Sequence, residues 1–330
     1  MSRVAVLGAG SWGTTLAVHL VGAGHEASLW GNDPAALADL AAVRENRKFL
    51  PGITLPLSVK VQPKLEAALE GAEFTLFVVP SQAVREVALR VAGTGAGGVV
   101  VCASKGLELG TLERLSEVLS ETLKGAPVIL TGPSHAEEVS RGVPTSIVAA
   151  SRDPGRAKSV QTLCSTSLLR VYTNDDVAGC EYGAALKNVV AIAAGVCDGL
   201  GFGDNTKGAL LTRGLAEIAR LGVAMGGRRE TFFGLTGMGD LIATAMSRHS
   251  RNRHVGERIG RGESLEQVLG EMLMVAEGVN TARAARDLGN ARNVDMPITG
   301  QVCAMLFEAR SPREALQALM TRDLKSESWA

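Results

Sequence analysis

Six residues near the start of the chain, GAGSWG at Gly8–Gly13, combine types and spacing that serve a definite chemistry. They follow an apolar run, Arg3 to Leu7, and lead into a helical pattern from Trp12 to Ala23, so a strand passes through a tight turn into a helix. A dinucleotide needs this arrangement: Gly8 permits the turn, Gly10 lets the backbone approach a pyrophosphate, and Gly13 lets the helix pack against the strand. Free amides and the positive end of the helix dipole would hold the phosphates. Without a ligand, the same residues are an ordinary glycine-rich turn.

Four further places carry groups able to do chemistry. Lys105, in Ser104-Lys105-Gly106, follows an apolar run and could meet a phosphate or polarise a carbonyl, or simply lie exposed. Gly132-Pro133-Ser134 follows another such run; Ser134 with Glu137 also spells a capping box, and a helix start can itself present amides to a ligand. Lys187 and Asn188 interrupt the apolar pattern AALKNVVAIAAG. Lysine is rarely buried without a partner, so Lys187 either snorkels to the surface or points into a cleft where it can move a proton. The segment SRHSRNRH, Ser247 to His254, is a solvated face, a nucleic-acid patch or an anion site. Ser250 suits an N-cap with Arg251 and Asn252 in the first helical turn, where cations are disfavoured unless an anion is bound; this favours a phosphate or carboxylate there. DNTKG, Asp204 to Gly208, reads as a site or a loop. His249 and His254 lack a metal-ligand spacing, and no metal is expected.

The elements that must position these groups change character along the chain. Apolar β-rich runs at 26–30, 73–80, 98–104, 127–131, 145–150 and 168–173 alternate with helical patterns, which predicts a parallel, Rossmann-type sheet covered by helices on both faces. Phe49 to Pro63, broken by prolines, reads as a surface excursion. After Gly179 the strand signal stops and Ala-, Leu- and Gly-rich helical patterns take over. The expected domains are therefore an α/β domain, 1–178, and an all-α domain, 179–330, with a flexible end at Lys325 to Ala330. The 330 residues are 46% hydrophobic, enough for two cores, and 34 Lys plus Arg balance 34 Asp plus Glu. No net field draws the chain to nucleic acid or to a membrane. Five scattered cysteines without a CxxC pair argue against a disulfide framework or zinc. Neither a signal peptide nor an apolar run of spanning length is expected, which points to a cytoplasmic protein.

Taken in order, GAGSWGTTLA, ASKGLE, TGPSHAEEV, ALKNVVAIAAG, LLTRGLAEIARLG, GLTGMGDL, HSRNR and VAEGVNTA resemble the bacterial NAD(P)-dependent glycerol-3-phosphate dehydrogenases over nearly the whole chain. The resemblance implies a cytosolic, homodimeric enzyme that interconverts dihydroxyacetone phosphate and sn-glycerol 3-phosphate for phospholipid synthesis. Matched by position, Ser11 and Trp12 would contact the dinucleotide, with Lys105, Ala136, Arg251, Val275 and Glu277 completing its site. Lys105, Gly132 and Ser134 would hold the substrate, and Lys187 would be the general acid and base with Asp240 beside it. Ser250, Arg251 and Asn252 would grip the phosphate end of the substrate, and Asn188 would also contact the substrate. Asp240, Val275 and Glu277 rest on the resemblance alone.

Many relatives carry arginines after the second strand, suited to the 2′-phosphate of NADP, whereas this chain reads Trp30-Gly31-Asn32-Asp33-Pro34. Asp33 lies where an acid often meets the ribose of NAD, yet Asp-Pro also starts helices. Cofactor choice between NAD and NADP thus leans to NAD. Tyr182 stands where many relatives have Leu. Two other readings are a β-hydroxyacid dehydrogenase and a non-catalytic NAD(H) sensor. The first pairs its lysine with an asparagine several residues on, whereas Lys187 and Asn188 are adjacent; the second has no use for Lys187.

Overall fold

In a computed structural model that describes residues 1–324, 326 and 327, eight short strands rich in Val, Leu and Ala form one sheet. They are β1 (Arg3–Leu7), β2 (Glu26–Trp30), β3 (Val59–Val61), β4 (Phe74–Phe77), β5 (Val99–Cys102), β6 (Val128–Thr131), β7 (Thr145–Ala150) and β8 (Leu169–Asn174), in the order β3-β2-β1-β4-β5-β6-β7-β8. The strand order reverses between β1 and β4, which opens a crevice at the carboxyl end of β1 where the GAGSWG turn lies. Helices α1 (Ser11–Gly22), α2 (Pro34–Val43), α3 (Leu65–Leu69), α4 (Val84–Thr94), α5 (Leu115–Leu123), α6 (Ala136–Val139) and α7 (Pro154–Cys164) belong to the same half. Val6, Leu29, Leu76 and Val101 sit in its core with no exposed surface, as continuous apolar strands do when both faces are covered. The expected flexible end includes Lys325, Ser328, Trp329 and Ala330, which lie outside the described residues.

Two expectations about this sheet are corrected. The sheet is not wholly parallel, because β7 pairs antiparallel with β6, Ile129 facing Ala150 and Thr131 facing Val148. Strand direction is set by how the connection returns to the sheet, which an apolar run does not encode. Phe49 to Pro63 is not a surface excursion either: Val59–Val61 forms the edge strand on β2, and Leu50 and Leu55 are buried. Its prolines lie outside the three paired residues, where no ladder bond is lost. Arg44 holds the segment by donating to the carbonyl oxygens of Leu55, Pro56 and Val59. Asn46, also buried, donates to Ala9 O at 3.0 Å and Thr14 Oγ1 at 2.8 Å, so the segment braces the glycine turn.

The chain divides into two compact units, Met1–Glu108 with Glu113–Val177, and Leu109–Leu112 with the residues from Ala178 onward. The second unit contains α8 (Val177–Gly199), α9 (Asp204–Ala224), α10 (Arg229–Phe232), α11 (Asp240–Met246), α12 (Arg251–Gly260), α13 (Leu265–Glu271), α14 (Glu277–Ala291), α15 (Pro297–Phe307) and α16 (Pro312–Met320), with a π-helical turn at Leu235–Gly239. DNTKG is not a loop: it forms the first turn of α9, where Lys207 pairs with Asp198. Contrary to expectation, one helix among the described residues is long and apolar enough to cross a membrane by length and composition. This is α8, and its apolar window is wholly buried inside the protein.

Helix α8 meets α12 at unusually short range. A Cβ built on Gly195 would lie 1.9 Å from the carbonyl oxygen of Arg253, and one on Gly256 would lie 1.9 Å from that of Ile192. Backbone packs on backbone here, which only residues without a side chain allow. A different device anchors α15: Glu217, buried in α9, accepts the first-turn N–H groups of Ile298 and Thr299, each at 2.8 Å. All five cysteines are free thiols and buried; burial pushes Cys164 up to about 12 and Cys303 up to about 11.

Candidate active site

The glycine turn shows what each glycine is for. Gly8 has φ 126°, and a Cβ there would fall 2.4 Å from Val78 O; a Cβ on Gly13 would fall 1.8 Å from Gly8 O. Both positions are closed by the protein's own backbone. Around Gly10 nothing lies within 4 Å of the corresponding point, so the middle of the turn stays open at the start of α1. No side chain caps that helix and its first turn has no acid, which leaves the amide end suited to a pyrophosphate. Ser11 is buried and Trp12 half-buried beside it. Thr15 Oγ1 donates to Ala136 O at 3.3 Å, bringing Ala136 and α6 against α1. These features fit a dinucleotide. Asp33 caps α2 as its sequence allows, its Oδ1 accepting N–H bonds from Ala35 and Ala36, both at 3.1 Å.

At the carboxyl ends of β5 and β6, three residues singled out by sequence converge on one carbonyl. Lys105 Nζ donates to Gly132 O at 2.8 Å and Ser134 Oγ donates to the same oxygen at 3.0 Å. The capping box expected from Ser134 and Glu137 does not form: α6 starts one residue later, at Ala136, with His135 at its N-cap and no side-chain cap bond. The Ser134 hydroxyl is used by Gly132 instead. Beside them the buried Thr131 Oγ1 has no hydrogen-bond partner.

In the helical unit the alternatives for Lys187 are resolved. It does not snorkel; it is 5% exposed, and its Nζ donates to Asp240 Oδ1 at 3.0 Å and to Thr244 Oγ1 at 2.5 Å. Thr244 in turn donates to Asp240 Oδ1 at 3.2 Å. Asp240 opens α11 directly after the π-helical turn, and Thr244 lies one helical turn later on the same face. Two buried charges taken from water need such partners, since an unpaired one would cost several kcal/mol, of order 3–5. Thr244 was not found in the sequence; its spacing from Asp240 was the available signal.

Next to Lys187, Asn188 and Asn252 form a second buried group. Asn252 Nδ2 donates to Asn188 Oδ1 at 2.9 Å, while its Oδ1 accepts from Gly278 N at 2.9 Å. These asparagines therefore tie α8, α12 and the start of α14 together, with Glu277 as the neighbouring residue and Val275 exposed just ahead of it. Ser250 caps α12 as its type suggests, accepting from Arg253 N at 3.1 Å. Arg253 pairs with Asp198 at 2.6 Å, and Arg251 occupies the exposed first position of the helix. Among the described residues no group of three or more His, Cys, Asp or Glu is placed to hold a metal ion.

Comparison with known proteins gives the family. The model for the N-terminal part of NAD-dependent glycerol-3-phosphate dehydrogenase matches residues 3–157, and that for its C-terminal part matches residues 176–317. A glycerol-3-phosphate dehydrogenase (NAD(P)+) of Prosthecochloris aestuarii is 52% identical, covering 98% of this chain and 99% of that protein. One from Pelodictyon phaeoclathratiforme is 50% identical with the same coverage. The crystal structure of glycerol-3-phosphate dehydrogenase from Coxiella burnetii superposes with a TM-score of 0.94 at 36% identity, covering 97% of this chain and 99% of that one. With both family models matched in sequence order and half the residues shared over the full length of relatives, this chain belongs to the NAD-dependent glycerol-3-phosphate dehydrogenase family.

Proposed function

We propose that the chain interconverts dihydroxyacetone phosphate and sn-glycerol 3-phosphate with NAD or NADP. The observation that carries this reading is the buried Lys187–Asp240 pair, within a chain that shares half its residues with dehydrogenases of that name. When bound, the nicotinamide supplies or accepts the hydride. Lys187 Nζ gives a proton to the C2 oxygen of dihydroxyacetone phosphate as that carbon becomes a secondary alcohol, and takes it back in reverse. Asp240 and Thr244 orient the ammonium. Lys105, with Gly132 and Ser134, holds the substrate at the carboxyl ends of β5 and β6, and its charge stabilises the developing alkoxide. Ser250, Arg251 and Asn252 hold the phosphate end, Arg251 through two parallel donors. The glycine turn, Ala136, Val275 and Glu277 hold the dinucleotide. We further propose that the enzyme works in the cytoplasm as a homodimer and supplies the glycerol backbone of phospholipids; light scattering should give twice the 34.3 kDa chain mass. The activity is tested by following NADH and NADPH fluorescence on adding dihydroxyacetone phosphate, and oxidation of neither overturns the reading.

Arg251→Lys keeps the charge but removes the planar fork. The kcat/KM for dihydroxyacetone phosphate is expected to fall by about 1.5–3 kcal/mol, the scale of a charge-assisted hydrogen bond, with much less effect on unphosphorylated dihydroxyacetone. NADH titration of the same variant separates a cofactor contact from a phosphate contact. Equal losses for both substrates would reject the phosphate role.

A further inference from the structure

The adenosine end of a dinucleotide meets the loop after the second strand of such a sheet. An acid there bonds the ribose 2′-hydroxyl of NAD, and an arginine nearby accommodates the 2′-phosphate of NADP. The loop Gly31-Asn32-Asp33 has no arginine of its own. The structure nevertheless delivers one from another element. Arg90, near the end of α4, places its guanidinium 4.8 Å from the centroid of the Trp30 ring and donates from Nη1 to Asn32 Oδ1 at 2.9 Å. Trp30 is the last residue of β2 and is buried, so it offers a fixed surface for the planar cation to stack on. Arg90 is exposed, and among the described residues no carboxylate pairs with it. Ring and amide together fix the orientation of the guanidinium.

We propose that Arg90 is the residue of this chain that binds the 2′-phosphate of NADPH. The inference rests on the dinucleotide reading of the glycine turn and deepens it. It also revises the lean toward NAD, which had rested on the loop alone. A 2′-phosphate brings a charge of about −1.5 to −2 and three strong acceptors, the pattern an oriented guanidinium binds bidentately. Asp33 does not forbid it. Its carboxylate is engaged at the N-terminus of α2, where the helix dipole offsets the negative charge.

The test is direct binding to the intact protein. NADH and NADPH are titrated by fluorescence, and ADP and 2′,5′-ADP by calorimetry, against the wild type, Arg90→Leu and Arg90→Lys. Arg90→Leu is expected to weaken NADPH and 2′,5′-ADP by roughly ten- to a hundredfold, the worth of charge-assisted bonds, while NADH and ADP change by less than about twofold. Arg90→Lys, which keeps the charge without the fork, is expected to fall between. Equal weakening of all four ligands would make Arg90 a packing residue for Trp30 and overturn the proposal, as would unchanged NADPH binding. A wild type that binds NADH but not NADPH overturns it while leaving the dinucleotide site standing. A folded wild type that binds neither removes the site itself.

Discussion

Lys187→Met is expected to lower kcat for dihydroxyacetone phosphate reduction by roughly two to four orders of magnitude, the usual worth of a general acid, with NADH affinity near that of the wild type. The same change removes the cation that balances Asp240, and a buried carboxylate whose charge is uncompensated costs about 3–5 kcal/mol of stability. Activity loss alone is therefore ambiguous. The double variant Lys187→Met with Asp240→Asn removes both charges and should recover much of the stability while recovering none of the rate. Urea unfolding and steady-state kinetics on the two variants separate the contributions. If Lys187→Met keeps a tenth of the wild-type kcat, Lys187 is not the acid.

Gly256→Ala is expected to be among the most damaging single methyls in the helical unit. The added carbon would sit 1.9 Å from the Ile192 carbonyl oxygen, and the obstacle is backbone, which has no rotamer to move aside. Overpacking a core typically costs about 1–3 kcal/mol. Here α8 and α12 must part along their contact, so a loss of about 3 kcal/mol or more follows, and Gly256→Val should not fold. Gly270, inside α13, has nothing within 4 Å of its Cβ position. Gly270→Ala should be neutral or add about 0.4–1 kcal/mol by restricting the unfolded chain. Denaturant midpoints for the pair decide the matter: if both alanines behave alike, the crossing is not the constraint described. Because Asn252 precedes Gly256 by one turn, a parted crossing also pulls it from Asn188, and activity should fall even in whatever fraction folds.

The sequence spoke clearly where structure depends on local period. Long apolar runs became strands, because a strand covered on both faces needs no polar alternation. Val59–Val61 escaped notice because three residues between prolines show no period at all. The direction of β7 escaped because it depends on the path of the intervening chain. Lys187 stood out as a charge in an apolar helix, but its partners lie 53 and 57 residues further on, a separation that no helical repeat links. Asp240 was reached only through resemblance. Arg90 gave no signal either: an arginine on an exposed helical face looks the same whether it meets solvent or a ring and an amide delivered by β2. Asn188 and Asn252 were marked for a ligand, and the bond between them was not legible because they lie 64 residues apart.

The buried thiols turn the chain into its own stopwatch. A thiol walled off from solvent reacts with an alkylating reagent only while the fold around it is open. Cys102 and Cys164 lie in the sheet-containing unit, and Cys180, Cys197 and Cys303 in the helical one. Mass spectrometry of the peptides after timed labelling then reads two separate opening rates from one unmodified sample. A dinucleotide held by the glycine turn together with Val275 and Glu277 should slow both clocks, whereas one held by the glycine turn alone would slow only the first.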